Sequence, residues 1–99
     1  MIRKNINYKN AGYIFLFYDV NQKRVNKIFK ICKKYLIHYQ NSVFRGEITT
    51  KNLSKLKNEL SQIIDEKEDF LSIIKLRSEK DVLEEIMGTE KNENNSIFI

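Results

Sequence analysis

The chain has 99 residues, enough for one small domain and one hydrophobic core, and a domain this short buries only about 60–65% of the surface its unfolded chain exposes. A single cysteine, Cys32, excludes an internal disulfide, and with His38 the only histidine there are too few ligands for a structural zinc site, which leaves oligomerisation as the way to gain stability. The net charge of +5 is split, residues 1–60 holding 13 Lys/Arg against three acids and residues 61–99 holding 5 against 10; the basic half favours a polyanion, nucleic acid before an anionic membrane surface.

Residues 1–12, polar, basic and aperiodic up to Gly12, read as a flexible leader or an appended remnant, with one domain over 13–99. They have no apolar core to act as a signal peptide. The run Tyr13-Ile-Phe-Leu-Phe-Tyr18 ending at Asp19 is β-branched and aromatic, and predicts a strand. It is the longest apolar run, far short of the ~20 residues of a membrane span. A cytoplasmic protein with no membrane partner is expected. From Asn21 the period becomes helical: Val25, Ile28, Phe29, Cys32 and Leu36 share one face and Lys23, Lys27, Lys30 and Lys34 another, over roughly 22–35. Strands follow at 37–40 and 43–49 around an Asn41-Ser42 turn, Asn being tolerant of the left-handed backbone a tight hairpin needs. Thr49 or Thr50 can cap a second helix with the stripe Leu53, Leu56, Leu60, Ile63 and Ile64. A charged loop, 65–69, precedes a fourth strand, 70–76. Ser78-Glu-Lys-Asp81 resembles a capping box and predicts a short helix through Met87. The polar stretch from Gly88 gives way to apolar Ser96–Ile99.

Strand–helix–strand–strand–helix–strand is the α+β, ferredoxin-like βαββαβ order, a two-layer sandwich with helices on one face of the sheet. The first strand is apolar on both faces, Tyr13, Phe15 and Phe17 on one and Ile14, Leu16 and Tyr18 on the other. Something must cover the face without helices, and a second copy in a sheet-to-sheet homodimer does so most simply. Ser96–Ile99 would add an extra C-terminal strand to a sheet edge.

Four aspartates exist. Asp65 and Asp69 read as a solvated turn and Asp81 as a helix cap. Asp19 ends an apolar strand just before a helix with Lys23 and Arg24, a place where a carboxylate suits a hard cation such as Mg²⁺; equally, it could only cap that helix. His38 reads as a packed or surface strand residue and Cys32 as a small buried hydrophobe. The lysine face is either solvated or a backbone-tracking surface for duplex DNA.

Tyr13-Ile-Phe-Leu-Phe-Tyr-Asp-Val20, Lys23-Arg24, Tyr39-Gln-Asn-Ser-Val-Phe-Arg-Gly-Glu47, Ile64-Asp65 and Phe70–Leu76 follow one another as in a known family. Over about residues 13–99 the chain resembles the Cas-two family of CRISPR-associated proteins, small dimers that work with the CRISPR integrase in spacer acquisition. The resemblance implies a ferredoxin-like dimer whose C-terminal strand joins the partner's sheet. It implies Mg²⁺-dependent (or Mn²⁺-dependent) endonuclease chemistry on RNA or DNA, with Asp19 as the metal ligand at the dimer axis. Tyr18, Arg24 and Phe44 match other positions tied to activity. Asn26 and His38 stand where some nucleolytic members have Arg, with Lys27 a substitute for one of them. Lys23, Arg24, Lys27, Lys30, Lys34 and Arg45 are the expected nucleic-acid contacts.

Two readings stay open. As an enzyme, an Asp19 pair holds a divalent ion that activates water. As a scaffold, the dimer bridges integrase dimers along DNA and the metal site is vestigial. An RNA-recognition module would carry a Lys/Arg-Gly-Phe/Tyr-Gly/Ala-Phe-Val string, which the sequence lacks, and a toxin-type RNA nuclease of the same fold ranks behind it.

Overall fold

The computed structural model describes residues 10–89. Strand β1 (Asn10–Asp19) leads to helix α1 (Gln22–Tyr35), the hairpin β2 (Ile37–Gln40) and β3 (Val43–Thr49), helix α2 (Thr50–Ser61) and strand β4 (Phe70–Leu76). The sheet order is β2-β3-β1-β4 and every neighbouring pair is antiparallel. Two split β-α-β units are thereby interleaved, each with a strand of the other between its own, which is the ferredoxin-like arrangement.

Local chemistry sets the boundaries. Asn21 caps α1, its side chain accepting from the Lys23 amide, and Thr49 caps α2 by accepting from the Asn52 amide; each satisfies an orphan N–H of a first turn. Asn41 takes φ 43° in the hairpin turn, the left-handed conformation that Asn adopts at low cost. Register then sorts the side chains. The row His38–Phe44–Leu16–Ile73 faces the helices, and the adjacent row Ile37–Arg45–Phe15–Ile74 faces away. Ile14, Leu16, Tyr18, Phe44 and Ile48 pack with Ile28 and Cys32 of α1 and Leu53, Leu56 and Leu60 of α2 into one dry core.

Three expectations are corrected. Strand β1 starts at Asn10 rather than after Gly12, so the expected leader 1–12 overlaps the sheet. Pairing slips between Asn10 and Gly12, and Gly12 sits at φ +109°, where a Cβ would lie 2.3 Å from the Leu76 carbonyl oxygen; the glycine that looked like a linker makes this irregularity. The second helix ends at Ser61, leaving Ile63 and Ile64 to pack on the core from the following turn. The helix expected from Ser78 to Met87 is only a 3₁₀ turn, Glu79–Asp81, capped by Ser78 and not by Asp81. Leu83 and Met87 are exposed, and a helix this short without a buried face has too little to offset its nucleation. The expected strand 96–99 and residues 1–9 lie outside the described residues. No helix among the described residues is long and apolar enough to cross a membrane.

Candidate metal and nucleic-acid site

Asp19 is the last residue of β1, in register with Phe70, the first of β4. Its side chain is exposed and follows Phe15 and Phe17 on the face without helices. Tyr13, Phe15 and Phe17 form an aromatic ladder there, with centroid separations of 5.8 and 6.4 Å. Ile37, Phe70 and Ile74, 68%, 61% and 49% exposed, extend the apolar surface over the outer strands. The chain after β4 bends over part of this face: Glu84 accepts from the Tyr39 hydroxyl and, at 3.1 Å, from Arg45 Nη1. Those two donors hold the Glu84 carboxyl below its usual range.

Two residues, Val20 and Asn21, link Asp19 to α1, and Asp69 fastens that link. Its Oδ1 accepts from the Asn21 amide at 2.8 Å and Arg24 Nη2 at 3.1 Å; its Oδ2 accepts from Arg24 Nε at 2.6 Å and the Asp65 amide at 2.8 Å. The Asp69 side chain is fully buried and that of Arg24 is 14% exposed. Arg24 above all, then the Asp65 and Asn21 amides, outweigh the burial and hold the Asp69 carboxyl well below the usual carboxylate range; the same contact raises the Arg24 guanidinium. Glu68 completes the group, 3.2 Å from Arg24 Nη2 and accepting from the Asn21 side-chain amide at 2.8 Å. Asp69 is thus no solvated turn residue.

The structure separates the other site candidates. Phe44 is fully buried and Tyr18 is 5% exposed; their rings stack at 6.3 Å inside the core. Both point under the helices while Asp19 points into water, so these three of the expected catalytic residues do not share one surface. Burial also pushes the Tyr18 hydroxyl above its ordinary range. His38 packs edge-on against Phe29 at 4.9 Å, and its Nε2 lies 2.9 Å from the Asn41 carbonyl oxygen, a packing role. Cys32 is buried, and burial pushes its thiol up to about 12.

The basic residues divide as well. Lys23, Lys27 and Lys30 are exposed along α1. Lys34 Nζ instead donates to Glu59 Oε1 at 2.5 Å, beside the Tyr35 hydroxyl on Oε2, joining α1 to α2. Arg45 stacks over the Tyr39 ring at 4.3 Å while bonded to Glu84. Arg24, Lys34 and Arg45, all expected to contact nucleic acid, are therefore held by acids of the same chain. The sequence contained a signal for Asp69: an acid immediately before the β4 run is brought beside Asn21 by the β1–β4 pairing. Glu59 and Glu84 had none.

Among the described residues, no three Asp, Glu, His or Cys side chains converge as a metal-binding group. Asp19 offers an exposed carboxylate where β1 ends, on the sheet face without helices. A ferredoxin-like domain with that carboxylate at the carboxyl end of its first strand, an uncovered apolar sheet face and a lysine-lined helix is the class defined by these features. The family model for CRISPR associated protein Cas2 matches residues 12–83, and the chain belongs to that family. It is 48% identical over 86 residues to the CRISPR-associated endoribonuclease Cas2 of Thermotoga maritima, covering 87% of this chain and 99% of the relative. The relative of the same name from Dictyoglomus turgidum is 42% identical over the same shares. A Cas2 crystal structure superposes with a TM-score of 0.73 at 35% identity, covering 80% of this chain and 88% of the other, and Streptococcus pyogenes Cas2 with 0.61 at 36%, covering 65% and 84%.

Proposed function

We propose that two copies of this chain pair through their uncovered sheet faces and act as a metal-dependent endonuclease on RNA or DNA in CRISPR spacer acquisition, beside the CRISPR integrase. The observation that carries this reading is the placement of Asp19, exposed at the rim of the apolar face bearing Phe15, Phe17, Phe70 and Ile74. A two-fold pairing across that face brings two Asp19 carboxylates towards one axis. Two hard oxygen ligands, with water and a substrate phosphate completing the shell, suit Mg²⁺ or Mn²⁺; the described residues of one copy bring no three such ligands together. Such an ion, when bound, supplies a nucleophilic water and charge stabilisation at the phosphate. The protein's own part is to hold Asp19 in place, keep the axis apolar around it, and attract the phosphate backbone with Lys23, Lys27 and Lys30. The names of the relatives, endoribonucleases, support RNA as one substrate.

A second reading, the non-catalytic scaffold bridging integrase dimers on DNA, is favoured by one observation. Arg24, Lys34 and Arg45 are tied to internal acids and Tyr18 and Phe44 are buried, so Asp19 is the only member of the expected catalytic set left facing solvent. Comparison of Asp19→Asn with wild type decides between them. The enzyme reading expects loss of Mg²⁺-dependent cleavage of RNA and duplex DNA with the dimer intact by light scattering. Wild-type protein that cleaves neither, with Asp19→Asn still supporting spacer integration, establishes the scaffold.

A further inference from the structure

The four-donor cradle around Asp69 has more structure than a loop closure requires. Every lone-pair direction of a buried carboxylate is used, and its partners come from three places: the Asn21 amide at the end of the β1–α1 link, the Arg24 fork in the first turns of α1, and the Asp65 amide of its own loop. Buried ion pairs of this kind seldom exceed the stability of well-packed apolar side chains, and their best-attested use is to fix register. Here the register fixed is that of Asp19. Its backbone is set on one side by the ladder partner Phe70, which directly follows Asp69. On the other side Asn21 is held by Asp69 itself, leaving Val20 as the sole residue between the two anchors.

We propose that Asp69 and Arg24 form a positioning clamp that orients the Asp19 carboxylate, and that Arg24 is a positioning residue and not a phosphate ligand. The inference rests on the metal reading of Asp19 given above. Outer partners that orient a ligand typically change metal affinity or activity by about 10–100-fold when lost. Arg24 suits this task because its planar fork bonds both carboxylate oxygens, whereas lysine offers a point charge. Arg24→Lys should therefore break the clamp although it conserves the charge.

The test uses the full chain with Mn²⁺ as the probe, its binding followed by electron paramagnetic resonance, together with cleavage kinetics and the salt dependence of duplex DNA binding. Asp69→Asn and Arg24→Lys should each weaken Mn²⁺ binding about tenfold or more and lower kcat. They should leave KM unchanged and the slope of log affinity against log salt at its wild-type value. The double variant should be no worse than either single one, because both act through one contact. Arg24→Gln, which removes the charge, separates the alternatives: if Arg24 neutralises a phosphate, this change would reduce the slope by about 0.9, which overturns the proposal. Unchanged Mn²⁺ affinity in the Arg24→Lys variant also overturns it. If Asp69→Asn does not fold by circular dichroism, Arg24→Lys and Arg24→Gln carry the decision. If wild type binds Mn²⁺ no better than Asp19→Asn, the metal reading itself fails and the clamp's orienting role falls with it. The slope for Arg24→Gln still reports separately whether Arg24 touches phosphate.

Discussion

The two faces of the sheet are built from the same strands and do opposite things. Under the helices, Ile14, Leu16, Tyr18 and Phe44 are sealed in an apolar core. On the other side, Tyr13 is buried but Phe15 and Phe17 are partly exposed, Phe70 and Ile74 are exposed, and the row ends in a carboxylate. Because successive strand residues alternate in direction, Tyr18 and Asp19 are neighbours in sequence and have no face in common. A one-residue slip of β1 would exchange the two sets, so the bulge at Gly12 and the ladders to β3 and β4 matter to chemistry as much as to folding. Residues that maintain the chain's shape and residues available to a partner can thus sit side by side in one short motif.

The sharpest way to break this comparison is to remove one aromatic ring from each face. Phe44→Ala should cost about 3–5 kcal/mol, the range for large core truncations, read from denaturant unfolding. Phe17→Ala should cost far less in the folded monomer. Its larger effect should be on association, a dimer dissociation constant raised about tenfold or more by light scattering, with a melting temperature that depends on concentration in wild type and less so in the variant. Equal costs at the two positions would mean that the uncovered face is part of one core after all.

The same alternation explains what could be read from the sequence. The helix 22–35 and the strands 37–40, 43–49 and 70–76 appear where the periodicity puts them, because apolar spacing and the Asn41 turn agree with the tertiary packing. Asp19 was legible as the one carboxylate ending an apolar strand. The fates of Tyr18 and Phe44 were not, since both faces of β1 are apolar and the pattern cannot say which one the helices cover. Arg24 and Arg45 read as phosphate ligands because their acids, Asp69 and Glu84, lie 45 and 39 residues away. Ser78–Asp81 carries a helix-start signal, but nothing in the fold buries Leu83, Ile86 and Met87, the apolar residues that follow it.

The lysine face gives a smaller effect. Lys27→Glu with Lys30→Glu should weaken duplex DNA binding at low salt and flatten its salt dependence by roughly 0.9 for each phosphate no longer neutralised. The same exchange of Lys34, already bonded to Glu59, should act mainly on stability, because it sets two acids side by side. Comparable reductions of DNA affinity from both sites would remove the distinction between open and internally paired cations.

Acid should act on the two faces differently. Glu84 and Asp69 both have folded-state carboxyls below their ordinary range, so each contributes stability that is present above the unfolded value, about 4, and lost as pH falls through the folded one. Asp69 is displaced further, so its clamp should outlast the bonds of Glu84 to Tyr39 and Arg45. Amide exchange followed from neutral pH downward should show the segment around Glu84 opening over the uncovered face first, and Asn21 losing protection only later.

The smallest effect comes from Cys32, a probe of the helix-covered face. Burial raises its thiol to about 12, so the folded chain keeps a proton that the unfolded chain releases above about 8.5. Folding therefore loses stability as pH rises from that value towards the folded one, by about 1 kcal/mol one unit above it. Tyr13, Tyr18 and Tyr35 are also raised and add a dependence of the same sign as pH approaches about 10, so the thiol's share is the difference between wild type and Cys32→Ala. Cys32→Ala should be less stable than wild type at neutral pH because the sulfur's packing is gone, yet show a flatter dependence between about pH 8.5 and 9.5. Thiol reagents should label wild type only through opening of this face, at a rate that follows unfolding and not the exposure of the opposite one. Rapid labelling of the folded protein at mildly alkaline pH would show that α1 lifts from the sheet on its own, and the helix-covered face would then be the more dynamic of the two.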